Sequence, residues 1–179
     1  MVTSGWGGPM VERDRLGALV WRARATWFVI IYQDEHICCY CLSDELPKAK
    51  FDEVIASGKM VLVEGKNALA KCKEYNLDGV MVEPDISKPL KVQLKSLREN
   101  LKKKTLGVVI PARRHEAMLA GEVEPEFIAF YSVDKNKDNE VISWYNDLFL
   151  IPLAWVCEAD TTEEKEKTVE FMIVSAENF

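Results

Sequence analysis

The sequence predicts an α/β fold of parallel strands and crossover helices, a (β/α)8 barrel-like domain that is incomplete or distorted in its N-terminal part. Two observations carry that expectation. From Met60 onward, short apolar runs alternate with amphipathic stretches. The runs also lack the polar alternation of a half-exposed sheet, as expected of parallel strands covered on both faces. They are Met60–Val63, Gly79–Val82, Leu106–Ile110, Phe127–Phe130, Ile151–Val156 and Phe171–Val174.

The intervals read as helices. Leu90, Leu94, Leu97 and Leu101 follow one buried stripe, with Lys91, Lys95, Arg98 and Lys102 largely off it. Val141, Ile142, Tyr145, Leu148 and Phe149 form a second such face, and Asn67 is placed to cap a helix carrying Leu69 and Cys72. Thr161 with Glu164 makes a capping box. Pro89, Pro111, Pro125 and Pro152 fall at element boundaries, where a missing N–H does least harm.

The first third is less regular. Arg13 to Trp21 reads as an opening helix and Leu46 to Ser57 as a helix before the strand at Met60. Trp27–Tyr32 and Ile37–Cys41 read as strands, but Gln33 to His36 is too short for a parallel crossover. Three arrangements remain open for these two runs: a hairpin, one long bent strand, or a pair that includes a non-strand piece. Counting both gives eight strands. A regular (β/α)8 barrel uses about 250 residues, so a chain of 179 is expected to lack a βα unit near the front and the helix after the last strand.

Residues 1–10 are Gly-rich and patternless, and are read as a flexible leader. Residues 11–179 are read as one domain. The net charge of -6 and pI near 5.1 argue against a nucleic-acid binder, which would present a basic face. The most apolar run, Trp27 to Tyr32, is far too short to span a bilayer, so no membrane partner is expected. The five cysteines are odd in number and follow no signal-peptide pattern, which predicts reduced thiols in a cytoplasmic protein. His36, Cys38, Cys39 and Cys41 could suggest a metal, but no second pair follows at finger-like spacing. On a regular strand Cys39 and Cys41 face one way and Cys38 the other, which favours a buried apolar strand. Arg113, Arg114 and His115 open a helix, where an anion site and a solvated first turn are both readings. Lys102 to Lys104 and Glu163 to Glu166 sit where the helix dipole favours their charges.

Several segments carry a family resemblance. Ala68-Leu69-Ala70 through Leu77-Asp78-Gly79-Val80, Arg114-His115-Glu116-Ala117-Met118-Leu119-Ala120-Gly121, Phe127-Ile128-Ala129-Phe130, Glu140 to Tyr145, and Phe171-Met172-Ile173-Val174-Ser175 occur in order and with compatible spacing. In this the chain resembles the thiamine phosphate synthases, in particular the alphaproteobacterial-type members, from about Met60 to the C-terminus. The resemblance implies the barrel and a site at the C-terminal strand ends. It also implies a reaction joining a phosphorylated hydroxymethylpyrimidine pyrophosphate to a thiazole phosphate, with Mg²⁺ held by carboxylates and a glycine-rich phosphate cradle.

The chain departs from that pattern at most of the catalytic places. Glu64-Gly65-Lys66 stands for "N-D-R", and Met81-Val82-Glu83-Pro84-Asp85-Ile86 for "H-L-G-Q-E-D". Val133 to Lys137 replaces "T-T-T-K", and Trp155-Val156-Cys157-Glu158-Ala159 replaces the phosphate-binding "A-I-G-G-I". What the resemblance leaves is a ligand or phosphate set of Glu64, Lys66, Arg113 and Ser175, with Asp85 as the metal carboxylate if Mg²⁺ chemistry is retained. Lys66 and His115 are the catalytic candidates. The expectation is a thiamine phosphate synthase-like protein, impaired or repurposed, with a phosphorylated pyrimidine or thiazole as its ligand. The alternatives are a thiazole tautomerase-like isomerase using His115, and an interaction protein whose mouth is filled by Trp155 and Glu158. An incomplete barrel would leave an open edge for a homodimer to cover.

Overall fold

The computed structural model describes residues 10–13, 19–22, 27–32, 37–157 and 168–176. Strands β1 (Met10–Arg13) and β2 (Leu19–Arg22) pair antiparallel as a separate two-stranded sheet. This corrects the opening helix expected over Arg13 to Trp21: Leu19-Val20-Trp21 is rich in β-branched and aromatic residues, and strand pairing prevails there. The proposed leader lies outside the described residues except for Met10, which begins β1. The capping box at Thr161 and the acidic run at Glu163 also lie outside them.

The main sheet contains β3 (Trp27–Tyr32), β4 (Ile37–Ser43), β5 (Met60–Glu64), β6 (Gly79–Val82), β7 (Thr105–Pro111), β8 (Phe127–Tyr131), β9 (Leu153–Val156) and β10 (Phe171–Ala176). Helices α1 (Lys48–Ala56), α2 (Ala68–Glu74), α3 (Leu90–Leu101), α4 (Arg114–Gly121) and α5 (Asp138–Leu148) fill the crossovers from β4 to β9. The seven strands β4 to β10 run parallel in sequence order and form a curled sheet. Strand β3 pairs antiparallel with both β4 and β10. Of the three arrangements open for the early runs, the hairpin is the one formed. The edge expected to await a homodimer is instead paired by β3. Seven parallel strands rather than eight distinguish this sheet from a complete (β/α)8 barrel.

Alternate residues along each strand enter two apolar layers. Tyr145, Phe130, Trp155, Leu94 and Phe51 pack between the strands and the helices. Cys39, Cys41, Leu62, Met81, Val109 and Ile173 fill the space enclosed by the curl. Each fully buried large apolar side chain contributes about 1.5–3 kcal/mol. The exposed ion pairs on the helices, such as Lys48–Asp52 at 3.0 Å, contribute well under about 1 kcal/mol each. The layers therefore hold the fold. Trp155 belongs to the layer under the helices, 1% exposed. That is core packing, as an apolar strand residue is expected to show, and it leaves the interaction-protein alternative without the Trp155 plug it requires; Glu158 lies outside the described residues. On α3, Leu90, Leu94 and Leu101 are buried as the stripe predicts. Arg98 instead turns to the N-terminal end of the sheet and donates to the Lys104 and Glu124 carbonyls and the Glu126 carboxylate.

That N-terminal end repeats one device three times. An acidic residue immediately before a strand donates its N–H to the carbonyl of a residue opening the preceding strand. Its carboxylate then accepts the N–H of that same residue. The pairs are Asp78 with Val61 (3.0 and 2.8 Å), Glu126 with Leu106 (3.0 and 2.6 Å) and Glu170 with Leu153 (3.0 and 2.8 Å). Each satisfies a backbone donor at the start of a strand, which would otherwise cost about 1–3 kcal/mol if buried unpaired. In the sequence these are the acids of Asp78-Gly79, Glu126-Phe127 and Glu170-Phe171. Their role is to fix strand register at the end opposite the mouth.

Candidate site at the C-terminal mouth

In parallel βα folds of this kind, ligands bind at the C-terminal strand ends. The strand phase decides what is presented there. Leu62 on β5 faces the enclosed space, and two residues later the strand ends in Glu64. Met81 on β6 does the same, and two residues later the chain carries Glu83. Tyr131, buried at 3% exposure, ends the corresponding face of β8. The mouth over β5 and β6 is thus acidic.

Glu64 is half-buried and Glu83 is exposed at the rim. Removal from water pushes the Glu64 carboxyl up to about 8, with the Asp44 charge adding to the rise. Crowding by protein atoms pushes Glu83 to about 8 as well, and the charge of Glu64 contributes. Water reaches Glu83 and screens it, so Glu64 is the more firmly protonated of the two.

Asp44, just past β4, completes the cluster. Its N–H donates to the Glu64 carbonyl at 2.8 Å, and its carboxylate accepts the Asn67 N–H at 2.6 Å. Asn67 was expected to cap α2 with its own side chain. It makes no such bond; instead its own backbone N–H is taken up by Asp44 from a neighbouring loop. Gly65 makes this possible: its φ is +117°, and a Cβ there would lie 2.2 Å from Asp44 Oδ1.

The residues singled out from sequence are distributed unevenly around this cluster. Glu64 is within it. Lys66 is exposed on the turn after β5. Asp85 is exposed, and its carboxylate is engaged by Ser87 N–H at 3.0 Å, by Ser87 Oγ–H at 2.6 Å and by Lys88 at 3.2 Å. Those Ser87 bonds hold its carboxyl below the ordinary range. Arg113 precedes α4 and lies 3.7 Å from Glu116, a weak pairing. Arg114 pairs with Glu140 at 2.7 Å and lies over the Trp144 ring. His115 is exposed on α4. Ser175 lies in β10, opposite Phe28 of β3. Asp44 and Glu83 were not among the candidates. Their signal was position: each follows an apolar run at the end where ligands bind.

The three crowded cysteines show a different correction. The pairing of β3 with β4 skips a residue between Ile37 and Cys39, so Cys38 is a bulge. Cys38 consequently packs against the enclosed layer with Cys39 and Cys41, rather than facing away. Burial pushes the Cys39 thiol to about 12 and raises Cys41 and Cys38. They are protonated apolar fillers, as a buried strand requires. His36, the remaining member of that sequence cluster, lies outside the described residues. Among the described residues no three His, Cys, Asp or Glu side chains are placed to hold one metal ion. No helix among them is long and apolar enough to cross a membrane.

The chain matches no known protein-family model and no curated protein.

Proposed function

We propose that this chain is a thiamine phosphate synthase-like cytoplasmic protein whose mouth has been repurposed from pyrophosphate displacement to acid–base handling of an unphosphorylated small molecule. The observation that carries this reading is the pair of carboxyls, Glu64 and Glu83, raised to about 8 at the C-terminal strand ends. A carboxyl that keeps its proton at neutral pH is a general acid, and one that titrates near working pH can return as a base. A pyrophosphate would instead want cations and backbone N–H groups around it. Here Arg113 and Arg114 face carboxylates, and Asp85 is held by Ser87 and Lys88.

The test combines turnover with ligand-induced stabilisation. Purified protein with Mg²⁺, the pyrimidine pyrophosphate and the thiazole phosphate is expected to form no thiamine phosphate above a protein-free control. The dephosphorylated pyrimidine or thiazole is expected to raise the melting temperature, and their phosphorylated forms are not. Turnover, or stabilisation by the phosphorylated pair, would overturn the proposal. Indifference to all four compounds would overturn it in favour of an interaction protein.

A further inference from the structure

The corner that presents Glu64 is built around Asp44, and we propose that Asp44 is a positioning residue that ties the end of β5 to the start of α2 and so holds its own carboxylate beside Glu64 in the mouth. This inference rests on the reading of Glu64 as an acid–base group and adds how that group is controlled.

Three contacts converge on one side chain and its backbone. The Asp44 N–H reaches the Glu64 carbonyl, the Asp44 carboxylate reaches the Asn67 N–H, and Gly65 between them leaves room only because it lacks a Cβ. The segment from Glu64 to Asn67 is therefore bracketed at both ends by one residue of the turn after β4. A half-buried carboxylate fixed in this way sets a like charge beside Glu64. The other titratable groups facing Glu64 are Glu83 from the end of β6 and Cys41 from β4 below it. Both feel the charge of Glu64 rather than setting it, and Cys41 stays a neutral thiol. Asp44 is distinct from these because it is also anchored to a helix terminus.

Two variants separate geometry from charge. Asp44→Asn keeps an oxygen able to accept the Asn67 N–H but removes the charge. Asp44→Ala removes both. Carbon-detected NMR of the Glu64 carboxyl and amide hydrogen exchange at Asn67 give independent readouts. In Asp44→Asn the Glu64 midpoint is expected to fall by about 0.5–1 unit, the effect of a like charge removed from a partly screened site, with Asn67 protection retained. In Asp44→Ala the midpoint is expected to fall and Asn67 to exchange at least about tenfold faster, the loss of one cap of about 1.4 kcal/mol. If Asp44→Ala does not fold, Asp44→Asn decides alone. An unchanged Glu64 midpoint in Asp44→Asn would overturn the inference. So would unchanged Asn67 exchange in Asp44→Ala. Neither readout uses turnover or a ligand, so failure here is distinguishable from failure of the proposed function.

Discussion

Gly79→Ala is expected to destabilise the chain by about 3 kcal/mol, at the upper end of what one added methyl costs in a packed interior. Gly79 opens β6 and is paired on both sides, with Leu62 of β5 and Thr105 of β7. A Cβ at this position would lie 2.0 Å from the Thr105 carbonyl oxygen and 2.7 Å from its carbon. The obstacle is backbone, so no rotamer change relieves it. Either β6 moves away from β7 or the ladder there breaks. Natural domains hold only about 5–15 kcal/mol in total, so the loss should be plain in a urea titration. Gly58→Ala is the control. Nothing lies within 4 Å of a Cβ there, and its φ of +73° alone should cost about 1–2 kcal/mol. If Gly79→Ala proved no more damaging than Gly58→Ala, the close approach of β6 to β7 would be wrong.

The second large effect is on pH dependence. Glu64 and Glu83 are raised from 4.5 to about 8 in the folded chain. Between those values the native state keeps protons that the unfolded chain has released. Their stabilising contribution is therefore complete below about 4.5 and is lost as pH rises through about 8. Glutamine at both positions has no proton to lose. Glu64→Gln/Glu83→Gln is accordingly expected to lose less stability than the parent between pH 6 and pH 9, by about 2 kcal/mol. Half-buried Glu64 should carry most of that figure, because water screens Glu83. The buried Cys39 thiol, near 12, does not titrate in this window. Urea unfolding of both proteins at the two pH values gives the comparison. Parallel loss in the two would contradict the assignment.

Much of the fold could be read from residue pattern, and the reason is visible in the strands. Val61 to Val63 and Val80 to Val82 are apolar on both faces because one face meets helices and the other meets the enclosed layer. That double burial made the parallel strands legible. It also concealed which face was which. Without phase, Glu64 stands out only through the family resemblance, and nothing in the sequence sets Glu83 ahead of Asp85, whose carboxylate is tied up by Ser87 and Lys88. The misreadings share a physical origin in tertiary context. The β3 strand turns what would be an open edge into an antiparallel pair. The bulge at Cys38 reverses a side chain that a regular strand would send outward. The carboxylate that satisfies the Asn67 N–H at the start of α2 comes from Asp44, 23 positions earlier, where no local spacing rule could find it. Trp155 matches a phosphate loop in the family pattern, but its strand phase puts it under the helices, where an apolar residue of a doubly covered strand belongs.

The retained protons in the mouth are what distinguish this site from an anion cradle, and they can be observed directly. Carbon-detected NMR of the glutamate side-chain carboxyls across pH 3 to 10, with Glu64 and Glu83 assigned by their Gln variants, is the decisive measurement. The account predicts that both signals move chiefly between about pH 7 and 9, well after the other glutamates. Completion of both transitions below about pH 6, alongside the ordinary surface carboxyls, would contradict it.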